Sequence, residues 1–354
     1  MQKIKTIQKE LDNTSALLVT SSANRFYLTG FNSSAGSVLI TKSNAYFLID
    51  FRYFEKAKNT VTDFDVLLSF KILDEIYDIL KDQNITKLYI ESTYTSINRY
   101  NTLKSKFDGV RVLSEDKFDE ILVNLRSIKS EQELKLITEA QKLTDQTFSY
   151  ILNNIKEGRT EREIMLDMEF YMRTLGSEGV SFDFVVVSGK NSSLPHGVPT
   201  EKQVEIGDFI TMDFGAVVGG YRSDMTRTVA VGGLSNEQTR VYDTVLKAQL
   251  ASLAEIRAGA VCSSIDKIAR DMISNSGYEG KFGHGLGHSV GIEIHEAPSF
   301  SPNCNTILKS GMIMTVEPGI YIENNFGVRI EDMVYVKDDG ILNLTKSPKE
   351  LIIL

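Results

Sequence analysis

The chain has 354 residues, 42% of them hydrophobic, and a formal net charge of −8. That length suggests about two domains, and the acidic balance argues against a nucleic-acid backbone as partner. No apolar run approaches the roughly 20 residues that span a bilayer, and the polar start Met1-Gln-Lys-Ile-Lys-Thr lacks the apolar centre of a signal peptide, so a cytoplasmic protein without a membrane partner is expected.

Residues 1–125 alternate short apolar runs with amphipathic ones. Ala16–Val19 reads as a strand, and Ser37–Ile40 and Ala45–Ile49 as two strands joined by a turn at Thr41–Asn44. Asp65–Leu68 and Lys87–Ile90 are further strands, with polar-faced helices over Ile72–Leu80 and Ser96–Lys106. This pattern describes an α/β layer with a mixed sheet. It contains no histidine and no metal-ligand spacing. Arg52 and Tyr53, expected at a strand end, read as surface residues.

The join is placed near residue 126, giving domains 1–125 and 126–354. Ser130-Glu-Gln-Glu133 is a capping box, in which serine satisfies a helix amide and glutamate reaches back; the helix it opens extends to about Ile155. Thr160-Glu-Arg-Glu163 opens a second helix to Leu175, and Phe184–Val187 reads as a strand. The segment Asn191–Gly197 is a loop, followed by strands. Ser235 caps a helix through Leu253, and Ser263 begins another through Ile273, with Gly277 as its left-handed stop. A last group of strands follows. Two helices, strands, two helices, strands: this α+β order predicts two αα-ββ halves about a pseudo-twofold axis, helices on one face of a curved antiparallel sheet.

The strand groups repeat one motif. Gly207-Asp-Phe-Ile-Thr-Met-Asp213-Phe-Gly215 precedes Arg222-Ser-Asp224, and Gly311-Met-Ile-Met-Thr-Val-Glu317-Pro-Gly319 precedes Arg329-Ile-Glu331. Taken singly, Asp213 could be a turn residue, Asp224 an exposed partner of Arg222, and Glu317 or Glu331 a structural acid. Shared spacing argues otherwise, because independent surface charges have no reason to repeat it. Acids on apolar strands also need cations to stay ionised. Those cations are either metals or the arginines Arg222, Arg227 and Arg329.

Between the copies lies Gly283-His284-Gly-Leu-Gly-His288, then His295-Glu296. Two histidines four apart suit a zinc-binding helix, but the interspersed glycines disfavour a helix and favour an extended segment. All four histidines, His196 included, fall in the second domain. A donor set of carboxylate oxygens with an imidazole is hard, suiting Mn2+ first, with Co2+, Fe2+ or Zn2+ as alternatives. Four acids exceed the needs of one ion and fit two, the arrangement of metal-assisted hydrolysis. Cys262 and Cys304 sit in no paired motif and read as free thiols of a reducing compartment.

Pro195-His196-Gly197, Met212-Asp-Phe-Gly215, Ser223-Asp-Met-Thr-Arg227, Gly283–His288, His295-Glu-Ala-Pro298, Thr315-Val-Glu-Pro-Gly319 and Val328-Arg-Ile-Glu331 together resemble the Xaa-Pro peptidases, aminopeptidase P and prolidase. Tyr27–Phe31 and Asp50–Tyr53 look like that family's N-terminal domain. The resemblance implies a creatinase-like first domain and a pita-bread catalytic domain. It implies two metal ions held by Asp213, Asp224, His288, Glu317 and Glu331, with Asp224 and Glu331 bridging. His196, His284 and His295 would bind substrate and steady the tetrahedral intermediate, Glu317 would shuttle a proton, and Arg329 would orient the carboxylates. A homodimer is implied, its N-terminal domain helping to wall the partner's pocket, as is a peptide substrate with proline in second position. Prolidase-like members often carry an arginine soon after the His-Glu pair; here the stretch is Ala297-Pro-Ser-Phe-Ser301. This departure favours an aminopeptidase, with a dipeptidase as the alternative. A relative that has lost its metal, serving as a binding module or as a creatinase-like hydrolase, would lack ligands that this chain retains.

Overall fold

The computed structural model describes residues 2–354 and divides into two compact units, one ending at Arg126 and the other covering Ser127–Leu354. The first contains α1 (Gln2–Lys9), β1 (Ser15–Val19), α2 (Ser22–Thr29), β2 (Ser37–Thr41), β3 (Ala45–Ile49), α3 (Phe51–Thr60), β4 (Asp65–Leu68), α4 (Ile72–Asp82), β5 (Lys87–Ile90), α5 (Ile97–Lys106) and β6 (Arg111–Leu113), and most of α6 (Lys117–Ser127). Its sheet runs β4-β3-β2-β1-β5-β6. Only β2 is antiparallel to its neighbours, so the sheet is mixed, as the alternation predicts. Arg52 and Tyr53 are not at a strand end. Asp50 caps α3 by accepting from the Arg52 amide, and its carboxylate pairs with the exposed Arg52 guanidinium at 2.6 Å.

The second unit begins with α7 (Glu131–Leu152) and α8 (Glu161–Thr174), both opened by complete capping boxes. Then come β7 (Val185–Ser188), β8 (Phe209–Phe214), the ribbon β9 (Val217–Val218) and β10 (Tyr221–Arg222), and β11 (Met225–Ala230). The second half repeats the plan. Here α9 (Asn236–Glu255) and α10 (Cys262–Ile273) precede β12 (Gly287–Ser289), β13 (Glu296–Phe300) and β14 (Ile313–Val316). The ribbon β15 (Gly319–Ile322) and β16 (Phe326–Arg329) follows, then β17 (Asp332–Lys337) and β18 (Gly340–Asn343). Gly277 stops the turn after α10 with φ 90°. In each half a long strand leads into a two-stranded ribbon and returns as that strand's antiparallel partner: β8 to β11, and β14 to β17.

The strands do not form the single curved sheet the helix–strand order suggests. They form a three-stranded sheet, β11-β8-β7, and a five-stranded sheet, β13-β12-β14-β17-β18. At the seam, threonine side chains replace most of a backbone ladder. The Arg329 amide donates to Thr228 Oγ1, which donates to the Arg329 carbonyl, and the Glu331 amide donates to the Thr226 carbonyl. Each half keeps its own core. Phe148, Ile164 and Met168 of α7 and α8 pack on Ile210, Met212 and Phe214, while Val245, Ile265 and Ala269 pack with Met314, Val316 and Val334. Among the described residues no helix is long and apolar enough to cross a membrane.

Candidate metal centre

Strand alternation places the first acid. Ile210, Met212 and Phe214 enter the core under α7 and α8, so Thr211 and Asp213 face the other way. On β11, Thr228 pairs with Thr211 and Thr226 with Asp213, which extends this polar face. Asp224 is brought beside it because the Ser223 carbonyl passes over Gly215 so closely that a Cβ there would lie 1.9 Å from the oxygen. In the second half, Gly287 would meet the Thr315 carbonyl at 2.1 Å if it had a side chain. Its absence lets β12 carry His288 against the end of β14, where Glu317 follows. Glu331 lies between β16 and β17.

The acids and the imidazole converge. Ligand atoms of Asp224, His288 and Glu331 lie within 4.8 Å of one another. His288 Nε2 is 3.5 Å from Asp224 Oδ2 and 3.4 Å from Glu317 Oε1. Its Nδ1 lies 3.1 Å from the Ser289 carbonyl. Nδ1 therefore carries the proton, and Nε2 turns a lone pair toward two carboxylates. Thr226 Oγ1 donates to Glu331 Oε2 at 2.7 Å, and Thr315 Oγ1 donates to Glu317 Oε1 at 3.2 Å. Asp213 Oδ2 accepts from Arg329 at 2.7 Å.

These groups are electrostatically frustrated on their own. Burial, then the charges of Asp213 and Glu317, raises the Asp224 carboxyl well above its usual range. Burial, then Asp224, raises Glu331 likewise, and burial pushes Glu317 up to about 8. Burial lowers His288 to about 4, which keeps it as the neutral imidazole that ligates metals. Arg329 is held strongly charged, because Tyr321, Asp213 and Glu317 outweigh its burial.

Three arginines were candidates to neutralise the acids. Arg222 spends its guanidinium on the Ile292 and Ser181 carbonyls rather than on Asp224. Arg227 binds Asp332 at 2.7 Å and the carbonyls of Glu331, Ser347 and Pro348. Arg329 alone reaches one of the four acids, Asp213. Meanwhile Asp213 Oδ1 and Glu331 Oε1 are buried with no hydrogen-bond partner. Orphaned, buried carboxylate oxygens lining the same cavity as an unprotonated imidazole nitrogen fit hard divalent cations.

A cavity of about 540 Å3 opens on this cluster, lined among others by Phe182, Val185, His196, His295, Ser299 and Phe300. His196 and His295 are exposed in it. His284, expected to bind substrate, has both ring nitrogens engaged. Nδ1 lies 2.8 Å from the Gly285 carbonyl and Nε2 2.9 Å from the Tyr321 hydroxyl. That hydroxyl also accepts from Arg329 at 2.8 Å. Tyr321 is the residue the sequence did not disclose, since its tie to His284 is long-range. Thr226 and Thr315 were legible, each two places from an acid and so on the same strand face.

A carboxylate–imidazole cluster of this composition, on a duplicated α/β scaffold beside a substrate-sized cavity, defines a metal-dependent hydrolase. The chain belongs to metallopeptidase family M24, whose model matches residues 135–338, and residues 1–128 match the creatinase/prolidase N-terminal domain. The family's pita-bread fold is the duplicated second unit, and its activity requires divalent metal. The chain is 36% identical to the Xaa-Pro dipeptidase of Pyrococcus horikoshii over 99% of both chains. Among solved structures, an Xaa-Pro dipeptidase from Bacillus anthracis superposes with TM-score 0.96 at 41% identity, covering 100% of this chain and 99% of that one. An X-Pro aminopeptidase from Thermotoga maritima superposes with TM-score 0.91 at 35% identity, covering 98% and 100%.

Proposed function

We propose that the protein is an Xaa-Pro aminopeptidase that removes the first residue from peptides with proline in second position. Two divalent ions, Mn2+ foremost, would be held by Asp213, Asp224, His288, Glu317 and Glu331, with Asp224 and Glu331 shared. The orphaned, buried oxygens of Asp213 and Glu331 beside the neutral His288 carry this reading. When bound, such ions acidify water and polarise the scissile carbonyl.

The chain's own residues do the rest. Glu317 takes the proton of the attacking water and passes it to the proline nitrogen, so that the C–N bond breaks after the C–O bond forms. His196 and His295 hold the peptide and hydrogen-bond the oxygen that gains charge. His284, through Tyr321, keeps Arg329 aimed at Asp213, and Arg329 fixes that carboxylate's orientation. The protein works as a cytoplasmic homodimer assembled through domain 1–125, with domain 126–354 catalytic; light scattering of the purified protein tests the dimer.

The choice of substrate length rests on the cavity wall. Its one lysine or arginine is Arg329, already committed to Asp213, Tyr321 and the Pro195 carbonyl. Among the described residues this chain itself offers no second cation there for the carboxylate of a dipeptide, which supports the aminopeptidase. The dipeptidase names of the Pyrococcus and Bacillus relatives support the second reading, a prolidase. Mn2+-loaded protein with Ala-Pro and Ala-Pro-Ala side by side, and a chelator control, decides between them. Tripeptide cleavage with little dipeptide turnover is expected, and the reverse makes the protein a prolidase. Activity on neither, with metal bound, refutes the peptidase reading.

A further inference from the structure

The loop that carries His196 is fastened at both ends to one carboxylate. Glu161 opens α8 and is fully buried. Its Oε1 accepts from the Ser188 amide at 2.6 Å, the Ser188 hydroxyl at 3.0 Å and the Asn191 side-chain amide at 3.1 Å. Its Oε2 accepts from the Thr200 hydroxyl at 2.6 Å, the Thr200 amide at 3.0 Å and Asn191 at 3.2 Å. Ser188 closes β7, and Thr200 lies at the far end of the excursion. Between them the Ser192 hydroxyl accepts from the Gly327 amide at 2.9 Å, and the Pro195 carbonyl accepts from Arg329 at 3.2 Å. His196 is therefore the exposed tip of a loop tied at its base by Glu161 and in its middle by β16.

A buried anion with every lone-pair direction used is more than a helix start needs. Thr160 and Glu163 already form the capping box. The extra carboxylate binds no residue of its own helix and only the two arms of the loop.

We propose that Glu161 is a positioning residue for peptide hydrolysis: it sets the height of His196 over the metal cluster by clamping Ser188 to Thr200. This rests on the reading of His196 as a substrate-binding group. Replacing Glu161 by glutamine keeps the volume but turns an amide donor toward Thr200 or Ser188, whose amides and hydroxyls all donate there. One arm of the loop must then let go.

The test is a double-mutant cycle of Glu161→Gln with His196→Ala, read as kcat/KM on Ala-Pro-Ala with Mn2+, together with Mn2+ affinity by calorimetry. E161Q is expected to lose on the order of 10²-fold, the scale of a misplacement of about 1 Å in a catalytic group, with metal affinity unchanged. In the H196A background it should lose nothing further. Glu163→Gln, in the same helical turn but off the loop, should match the wild type. If H196A is slow while E161Q is normal, or if the two losses multiply, Glu161 does not act through His196 and the proposal is overturned. If H196A keeps the wild-type rate, it is the His196 reading that falls. Thr200→Val, which removes one clamp bond without stranding a charge, gives the same comparison if E161Q does not fold.

Discussion

Stripping the metal should invert the normal response of stability to alkali. In the metal-free protein Glu317 titrates near 8, against 4.5 for a free glutamate. A carboxyl raised on folding stabilises the fold while it is protonated, and that contribution disappears as pH rises through the folded value. Three histidines act in the opposite sense. His284 and His288 fall from 6.5 to about 4 and burial lowers His295 as well, so their contribution grows up to pH 6.5 and is constant above it. Asp332, held low because Arg227 and Lys349 outweigh its burial, matters only in acid. Between pH 6.5 and about 8.5 the acids of the centre are opposed by the Cys304 thiol, which hydrogen bonds with Thr306 hold below its usual range despite its partial burial, so the series is run on Cys304→Ser protein. Glu317 by itself removes roughly 2 kcal/mol over that window, and Asp224 and Glu331 push the same way. At about 2–4 °C per kcal/mol for a domain of this size, chelator-treated protein should lose roughly 4–8 °C in Tm. Scanning fluorimetry in EDTA across that range, beside a Mn2+-saturated series, reads it directly. The saturated series should be flat, since the ions replace the protons. A chelated protein as stable at pH 8.5 as at pH 6.5 would refute the idea that these acids await cations.

Asp224→Asn and Glu317→Gln should fold with wild-type circular dichroism yet lose turnover by a factor on the order of 10²–10⁴; full activity of either in metal-controlled buffer would sink the dinuclear reading. Lys129 and Glu296 form an ion pair at 3.2 Å with side chains 2% and 5% exposed. Lys129→Met should therefore cost about 3–5 kcal/mol in denaturant melts by removing the cation beside a buried carboxylate, and adding Glu296→Gln should recover part of it. Gly287→Ala must push β12 off the Thr315 carbonyl, so calorimetry should show Mn2+ affinity weakened by roughly 10–100-fold, beside a loss of about 1–3 kcal/mol in the stability of chelated protein.

The capping boxes at Ser130, Thr160 and Ser235 and the stop at Gly277 were legible because each is decided within a few residues. The duplication was legible for the same reason: strand, ribbon and returning strand recur at matching places, and acids at fixed offsets must share a strand face. What escaped depends on distant partners. The division into two sheets depends on Thr226 and Thr228 meeting Arg329 and Glu331 about a hundred positions later. The engagement of His284 depends on Tyr321, and helix α3 was hidden behind a strand-like Phe51-Arg-Tyr. The alternative in which Arg222 neutralises Asp224 fails for a simple reason. A cation two places from an acid on a strand points to the same face, but the buried carbonyls of Ser181 and Ile292 had the stronger need for a donor.

The centre is split between halves that leave the ribosome at different times. Asp213 and Asp224 emerge with the first half, while His288, Glu317 and Glu331 come with the second. Arg227, in the first half, donates to its neighbour Thr226 and otherwise closes its hydrogen bonds on Glu331, Asp332, Ser347 and Pro348. A nascent chain carrying only the early strands has Asp213 and Asp224 without His288, and its Arg227 lacks every partner but the Thr226 carbonyl. Completion of the carboxylate–imidazole cluster is thus deferred until Glu331 has been made, and that of the Arg227 network until the segment through Pro348 has folded back.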